Sequence, residues 1–195
     1  GQYAPAEGLT NQDDWSASLG YENGPLLVGL AYERHNRGAT SVAANPPTVP
    51  QTFPYVNNGD ESGWRLGAGY SFGNTRLVGL YERLSDLGGV ANVDVKVWGL
   101  GVAHKMGANT IKAQYYKADD YDGLGIGDTG ANMWAVGWDY AFSKRTTAYV
   151  AYARTSNDTN INYSMTGGGY GQAMGANVGA GRDPNGLSLG LVHKF

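Results

Sequence analysis

Large apolar residues alternate with small or polar residues along most of this chain. A period of two puts successive side chains on opposite faces of a strand, so the pattern predicts β-structure rather than helix. One strand type opens with Trp and closes with an aromatic ring or His six residues later, at 15–21, 64–70, 98–104 and 134–140. A further segment, 187–195, keeps the alternation and ends on Phe.

A second strand type follows each of the first four after a short turn. These partners are residues 28–32, 77–81, 111–115 and 148–152, and the turns are Asn23-Gly24, Gly73-Asn74, 107–109 and 143–144. Because Gly, Asn and Ser favour tight reversals, each pair of strands is predicted to form a hairpin. Longer segments rich in Asn, Gly, Pro and Asp join the hairpins at 35–61, 85–91, 118–130 and 157–184.

Short turns at one end and long loops at the other are typical of outer-membrane barrels. The fold class predicted is therefore all-β, a transmembrane antiparallel β-barrel formed by one domain over residues 1–195. Nine strands are predicted, and residues 1–10 form either a loop or the end of a tenth strand.

The distribution of aromatic residues favours lipid over a soluble core. On the face of each strand that carries the large apolar residues, aromatic rings stand at both ends, as expected for side chains at the two membrane interfaces. The alternative is a soluble sandwich or barrel, whose outer phase would be richer in Lys, Glu and Thr than the Gly, Ala and Ser found here. The predicted interface rings are Trp15, Tyr21, Tyr32, Trp64, Tyr70, Tyr81, Trp98, Tyr115, Trp134, Tyr140 and Tyr152.

Composition narrows the function classes. The 195 residues include 14 basic and 17 acidic side chains, a balance that lacks the basic face of a nucleic-acid binder. The chain has no Cys, which excludes a disulfide framework and a thiolate metal site. No run of about 18 apolar residues exists, as expected if strands rather than helices meet lipid.

A cation follows the tyrosine by two residues in every partner strand. Spacing of two keeps the cation on the lipid face, beyond the ring, where it can reach the headgroup region. We expect contacts with anionic phosphates of lipid or lipopolysaccharide, and a solvated strand end is an equally open interpretation. The four cations are Arg34, Arg83, Lys117 and Arg154.

Two motifs resemble the general porins of Gram-negative bacteria, especially the beta-proteobacterial and neisserial type. Residues 143–149, Ser-Lys-Arg-Thr-Thr-Ala-Tyr, followed by Tyr152, are similar to a strand start of that family. The ending 190–195, Gly-Leu-Val-His-Lys-Phe, is similar to its terminus. The resemblance implies a homotrimeric, passive pore without a cofactor in the outer membrane, and an assembly signal at Phe195.

The resemblance covers only the later part of the family's pattern. Members are sixteen-stranded pores narrowed by an inward-folded loop, so this chain is expected to supply nine or ten strands as the C-terminal portion of a longer porin. A smaller barrel closed by other means is the alternative.

The small and polar residues that alternate with the large apolar ones would then line the lumen. Charged walls set ion preference by their field, and Arg65, Lys112 and Gln114 are expected to matter most because they lie in mid-wall. Each of these could also be a simple solvated residue. The predicted lining residues are Glu22, Glu33, Arg65, Glu82, Lys105, Lys112, Gln114 and Asp139.

Other functions remain as alternatives. One is a structural or adhesive outer-membrane barrel whose long loops bind partners. Another is a barrel enzyme using Ser71 or His35, although the Gly-x-Ser-x-Gly match at 69–73 lacks the strand–turn–helix setting of hydrolases. A weak Ca²⁺ site is conceivable on one acidic loop, whose carboxylates are Asp119, Asp120, Asp122 and Asp128.

Overall fold

The computed structural model describes residues 2–5, 13–36, 59–164 and 179–195. Most of the predicted loop 35–61 and the centre of the loop 157–184 lie outside these residues. The strands are β1 (Gln2–Pro5), β2 (Asp13–Asn23), β3 (Leu26–Asn36), β4 (Asp60–Phe72), β5 (Thr75–Ser85), β6 (Val95–Met106), β7 (Asn109–Ala118), β8 (Ala131–Ala141), β9 (Thr146–Asn157) and β10 (Asn185–His193), and a 3-10 turn (Leu87–Gly89) precedes β6.

The ten strands form one sheet in which each strand pairs antiparallel with the next along the chain. The four predicted hairpins are confirmed, and the first residues form the tenth strand. Gly24, Gly73 and Gly107 have φ of +55°, +55° and +61°, a conformation that suits glycine and allows the reversal. Within the described residues β1 and β10 each pair with one neighbour, so the sheet is open.

The strands are staggered. A row of directly opposed residues begins at Glu22, next to the turn-side end of β2. The same row passes through Gln114 on β7 and reaches Ala153, seven residues from the turn-side end of β9. The line of turns therefore runs obliquely to the strands, which is the tilt that a barrel wall requires.

The segments at the long-loop end of the sheet pack on one another. Asp94 and Asp122 form an isolated β-bridge between two of the loops. The Asn160 side chain donates to the Gly127 carbonyl at 2.8 Å, and the Tyr121 and Tyr163 hydroxyls lie 3.0 Å apart. Burial raises the pKa of Tyr163. The buried hydrophobic residues of the described chain lie here or at nearby strand ends: Val93, Val95, Ala131 and Ile161.

Helices do not provide a membrane crossing in the described residues, where none is long and apolar enough.

Candidate membrane-facing surface and inner wall

A continuous band of rings crosses the sheet near its long-loop end. Within each hairpin a Trp packs on the Tyr of the next strand, with ring centroids 4.9 to 5.5 Å apart. Between hairpins, Tyr and Trp stand directly opposite each other, as Tyr32 and Trp64 do. We call this the loop-end band, and it consists of Trp15, Tyr32, Trp64, Tyr81, Trp98, Tyr115, Trp134 and Tyr152.

A second band follows the hairpin turns on the same face. Trp138 and Tyr140 lie 6.1 Å apart, and Tyr140 meets Phe142 edge-on at 5.0 Å. Tyr70 contacts Phe72 on β4. Tyr21 of β2, like Tyr70 of β4, lies two residues from the turn-side end of its strand. Six residues separate the bands along a strand, about 20 Å at roughly 3.4 Å per residue. A tilt of about 40° reduces this to a height of roughly 15 Å, within the ~25 Å apolar zone of a membrane barrel.

Aliphatic side chains fill the surface between the two bands. Leu19 and Leu189 are 74% and 71% exposed, an arrangement that is unfavourable in water at about 25 cal/mol for each Å² of apolar area. The rings are also open to the surroundings, with Trp15 at 43% and Trp134 at 39%. The tryptophans therefore do not form a dry internal core, and this face of the sheet is suited to hydrocarbon.

The four predicted cations lie directly opposite the four band tryptophans across each hairpin. Arg34 faces Trp15, and the same register recurs in the other three hairpins. Each cation has a carboxylate partner. Arg34 pairs with Asp60, Arg83 with Asp94 at 2.6 Å, Arg154 with Asp183 at 2.9 Å, and Lys117 with Asp119 at 3.8 Å.

The three arginine pairs share one geometry. In each, the aspartate lies two residues before the residue that the arginine opposes on the following strand. Asp94 also accepts the Asp86 amide at 3.2 Å, and Asp183 accepts the Asn157 amide at 3.0 Å. The hydrogen bond from the arginine in each pair lowers the pKa of Asp94 and of Asp183. These carboxylates thus join a strand end to the base of the following loop.

Sequence reasoning missed these carboxylates, because their signal, an Asp at or just before the start of a strand, is informative only once the register is known. The contact of the rim cations with lipid phosphate stays a prediction. The side chains of Arg34, Arg83 and Arg154 remain 44 to 47% exposed, so each guanidinium has donors available beyond its aspartate.

On the opposite face, which we call the inner wall, acidic residues collect toward the long-loop end. Arg65 pairs with Glu82. The His35 ring lies between Asp14 and Glu33, at 3.2 Å and 2.8 Å from their carboxylates. Glu33, His35, Arg65 and Glu82 border a concavity of about 520 Å³.

The turn end of the inner wall is basic. Lys112 pairs with Asp139 at 2.8 Å, and Lys105 lies one residue before the end of β6. Arg76 shares this face, since it opposes Ala103 of β6, which in turn opposes Lys112. Sequence reasoning overlooked Arg76, although its position next to Leu77 in the alternation was a usable signal.

The predicted lining residues lie at different distances from the turns. Arg65 lies seven residues from the turn-side end of its strand and Lys112 three. Glu22, Lys105 and Asp139 are near the turns, and Gln114 lies midway along β7. Their role in a lumen stays a prediction.

Two inner-wall tyrosines lie flat against glycines of the neighbouring strand. The Tyr116 ring occupies the space that a Cβ at Gly99 would need, and the Tyr149 ring does the same at Gly190. Glycine at these positions lets a large ring follow the wall instead of projecting from it.

The loop aspartates have protein partners. Asp120 accepts the backbone amides of Thr129 and Gly130 at 2.7 and 2.8 Å, and Asp122 pairs with Lys96 at 3.1 Å. Among the residues that the structure describes, no group of three or more His, Asp or Glu could hold a metal ion. Ca²⁺ binding by this loop, Asp128 included, stays a prediction.

The residues of the enzyme alternative lie at opposite ends of the wall. His35 of β3 opposes Glu61 of β4. Ser71 lies ten residues beyond Glu61 on β4, a distance of roughly 33 Å at about 3.3 Å per residue. The two side chains cannot exchange a proton, because general-base catalysis requires hydrogen-bond distance.

Phe195 is fully exposed, and its ring meets that of His193 edge-on at 5.0 Å. The assembly role of Phe195 stays a prediction.

Known proteins share this architecture. A family model described as Gram-negative porin matches residues 1–160. The structure is similar to the anion-selective porin from Comamonas acidovorans, with 25% identity and a TM-score of 0.70, over 99% of this chain and 54% of that one. OmpT of Vibrio cholerae, at 16% identity and a TM-score of 0.62 over 93% of this chain and 56% of its own, shares the fold. No curated protein matches. The chain spans about half the length of these solved structures.

Proposed function

The chain belongs to the Gram-negative porin family, a family of the outer membrane, and from that premise we propose that it forms part of the wall of a passive diffusion pore. Ions and small hydrophilic solutes would cross a water-filled lumen down their gradients. The sheet would present its ring-bracketed face to lipid and its small and charged face to water.

The observation that carries this proposal is the division of the sheet into two faces. One face has aromatic bands about 20 Å apart with exposed aliphatic residues between them. The other carries glycine, alanine and charged side chains such as Arg65 and Lys112. A soluble protein would cover the first face.

Planar-bilayer recording tests the proposal. The protein, expressed at its full natural length, should insert in discrete steps of equal conductance. Liposomes containing it should swell in small sugars and not in large ones. Absence of both signals with correctly inserted protein would overturn the pore and favour the structural or adhesive alternative.

We propose that the protein has no catalytic activity, supported by the family and by the separation of Ser71 from His35. The resemblance to general porins supports a homotrimer, and the exposed rim arginines support contacts with lipopolysaccharide phosphate. Chemical cross-linking in the membrane should yield a three-subunit species. Recovery of single subunits alone would contradict the trimer.

A further inference from the structure

Two basic side chains at the turn end of the inner wall differ from the rim cations and Arg65, because they lack a carboxylate partner among the described residues. The four rim cations and Arg65 each have a carboxylate partner. Arg76 and Lys105 have none within ion-pair distance in the described chain, and Lys112 shares Asp139. The charge of Arg76 and Lys105 is therefore available to a mobile anion.

The register brings these cations together. Arg76, Ala103 and Lys112 stand side by side on three adjacent strands, so the two cationic positions are about 10 Å apart at the backbone. Lys105 is two residues from Ala103 on the same face. Long flexible side chains on either side of an alanine can converge on a ligand placed above it.

The wall around this row is low and concave. Arg76, Lys112 and Gln114 border a concavity of about 340 Å³ whose other lining residues are small or aliphatic, including Gly101 and Gly137. Gly137 places no side chain beside Lys112. The depression thus has room for a small organic anion, with the Gln114 amide as an additional hydrogen-bond donor.

Asp139 neutralises part of the positive charge around this depression. Its Oδ2 accepts from Lys112 at 2.8 Å, while its Oδ1 is buried without a partner. Because Asp139 fixes Lys112 on one side of the depression, Arg76 and Lys105 are left to supply the remaining net charge. Two such charges match a dianion better than a monovalent ion.

We propose that Arg76, Lys105 and Lys112 form a binding station for small dicarboxylates at the turn-side mouth of the lumen. This inference rests on the proposed pore. The station would hold a dicarboxylate briefly by charge-assisted hydrogen bonds and raise its local concentration at one end of the channel.

Block of chloride current by succinate tests the station. In planar bilayers the full-length protein should show stepwise conductance that succinate reduces with saturation. The double substitution Arg76→Gln with Lys105→Gln should raise the half-blocking concentration about tenfold, since each removes a charged contact. Arg76→Lys should retain most of the block, which shows that lost charge and not lost folding is responsible.

Lys144→Gln is the matched control, because Lys144 is an exposed cation of the same end that lies in a turn outside the wall. It should leave the half-blocking concentration unchanged. Equal block in the double variant and the parent, or an equal shift in Lys144→Gln, would overturn the station while leaving the pore intact. Absence of any conductance in the parent would overturn the pore itself.

Discussion

At the scale of single residues, a repeated unit joins a tryptophan, a tyrosine and a cation at the long-loop end. The cation stands opposite the tryptophan, and the tyrosine packs on that tryptophan at about 5 Å. In three of the four repeats an aspartate at or just before the start of the next strand completes the unit. Asp94 and Asp183 also cap backbone amides, so the unit holds a loop base as well as a strand end.

The pKa of Asp94 is lowered in the folded protein. The stabilisation that the Asp94 carboxylate gives to the fold is therefore complete above its unfolded pKa of about 3.9. This stabilisation is lost as the pH falls through the lower folded pKa. Exchange protection of the Asp86 amide, corrected for intrinsic rate, should be constant from about pH 7 to 5 and fall below about pH 4. Asp94→Asn should remove much of the protection already at neutral pH.

Asp122→Asn is the control for that measurement, because within the described residues the Asp122 side chain forms an exposed ion pair with Lys96, whereas the Asp86 amide is bound by Asp94. It should leave the Asp86 amide unaffected. Unchanged protection in Asp94→Asn across this pH range would contradict the role assigned to the carboxylate.

At the scale of elements, each hairpin is defined by local sequence. Alternation, a short turn that contains glycine in three of the four hairpins, and a ring at each end predict its two strands, and the structure confirms all four hairpins. Contacts between hairpins depend on register across long loops, which alternation does not fix. For that reason the Arg76–Lys112 row and the aspartate partners of the rim arginines were not predicted from the sequence, whereas the rings and the rim cations were.

Neighbouring residues of β2 offer a matched test of the two faces. Leu19→Arg puts a charge among the aliphatic side chains and should lower the free energy of unfolding from bilayers by about 2–4 kcal/mol. Ser18→Arg, on the inner wall, should change it by less than about 0.5 kcal/mol. Urea titration in lipid vesicles measures both, and equal destabilisation would contradict the assignment of faces.

At the scale of the whole molecule, the sheet is an open wall with unequal ends. The four rim cations at the long-loop end are paired with aspartates, while Arg76 and Lys105 at the turn end have no carboxylate partner within the described residues. The chain spans about half the length of the porins it resembles, so a closed lumen requires further strands. Strand number and pore diameter are properties of the complete wall, and ten strands cannot determine them.

The central claim is that the ring-bracketed face meets hydrocarbon and the opposite face meets water. This chain has no Cys, so one cysteine at a time can be introduced at residues 16–20 of a full-length protein free of other cysteines, and labelled with a nitroxide in bilayers. Oxygen accessibility should be high at residues 17 and 19, and accessibility to a water-soluble nickel chelate should be high at 16, 18 and 20. High chelate accessibility at residues 17 and 19 with high oxygen accessibility at 16, 18 and 20 would contradict the claim. Chelate access at all five positions would contradict it as well.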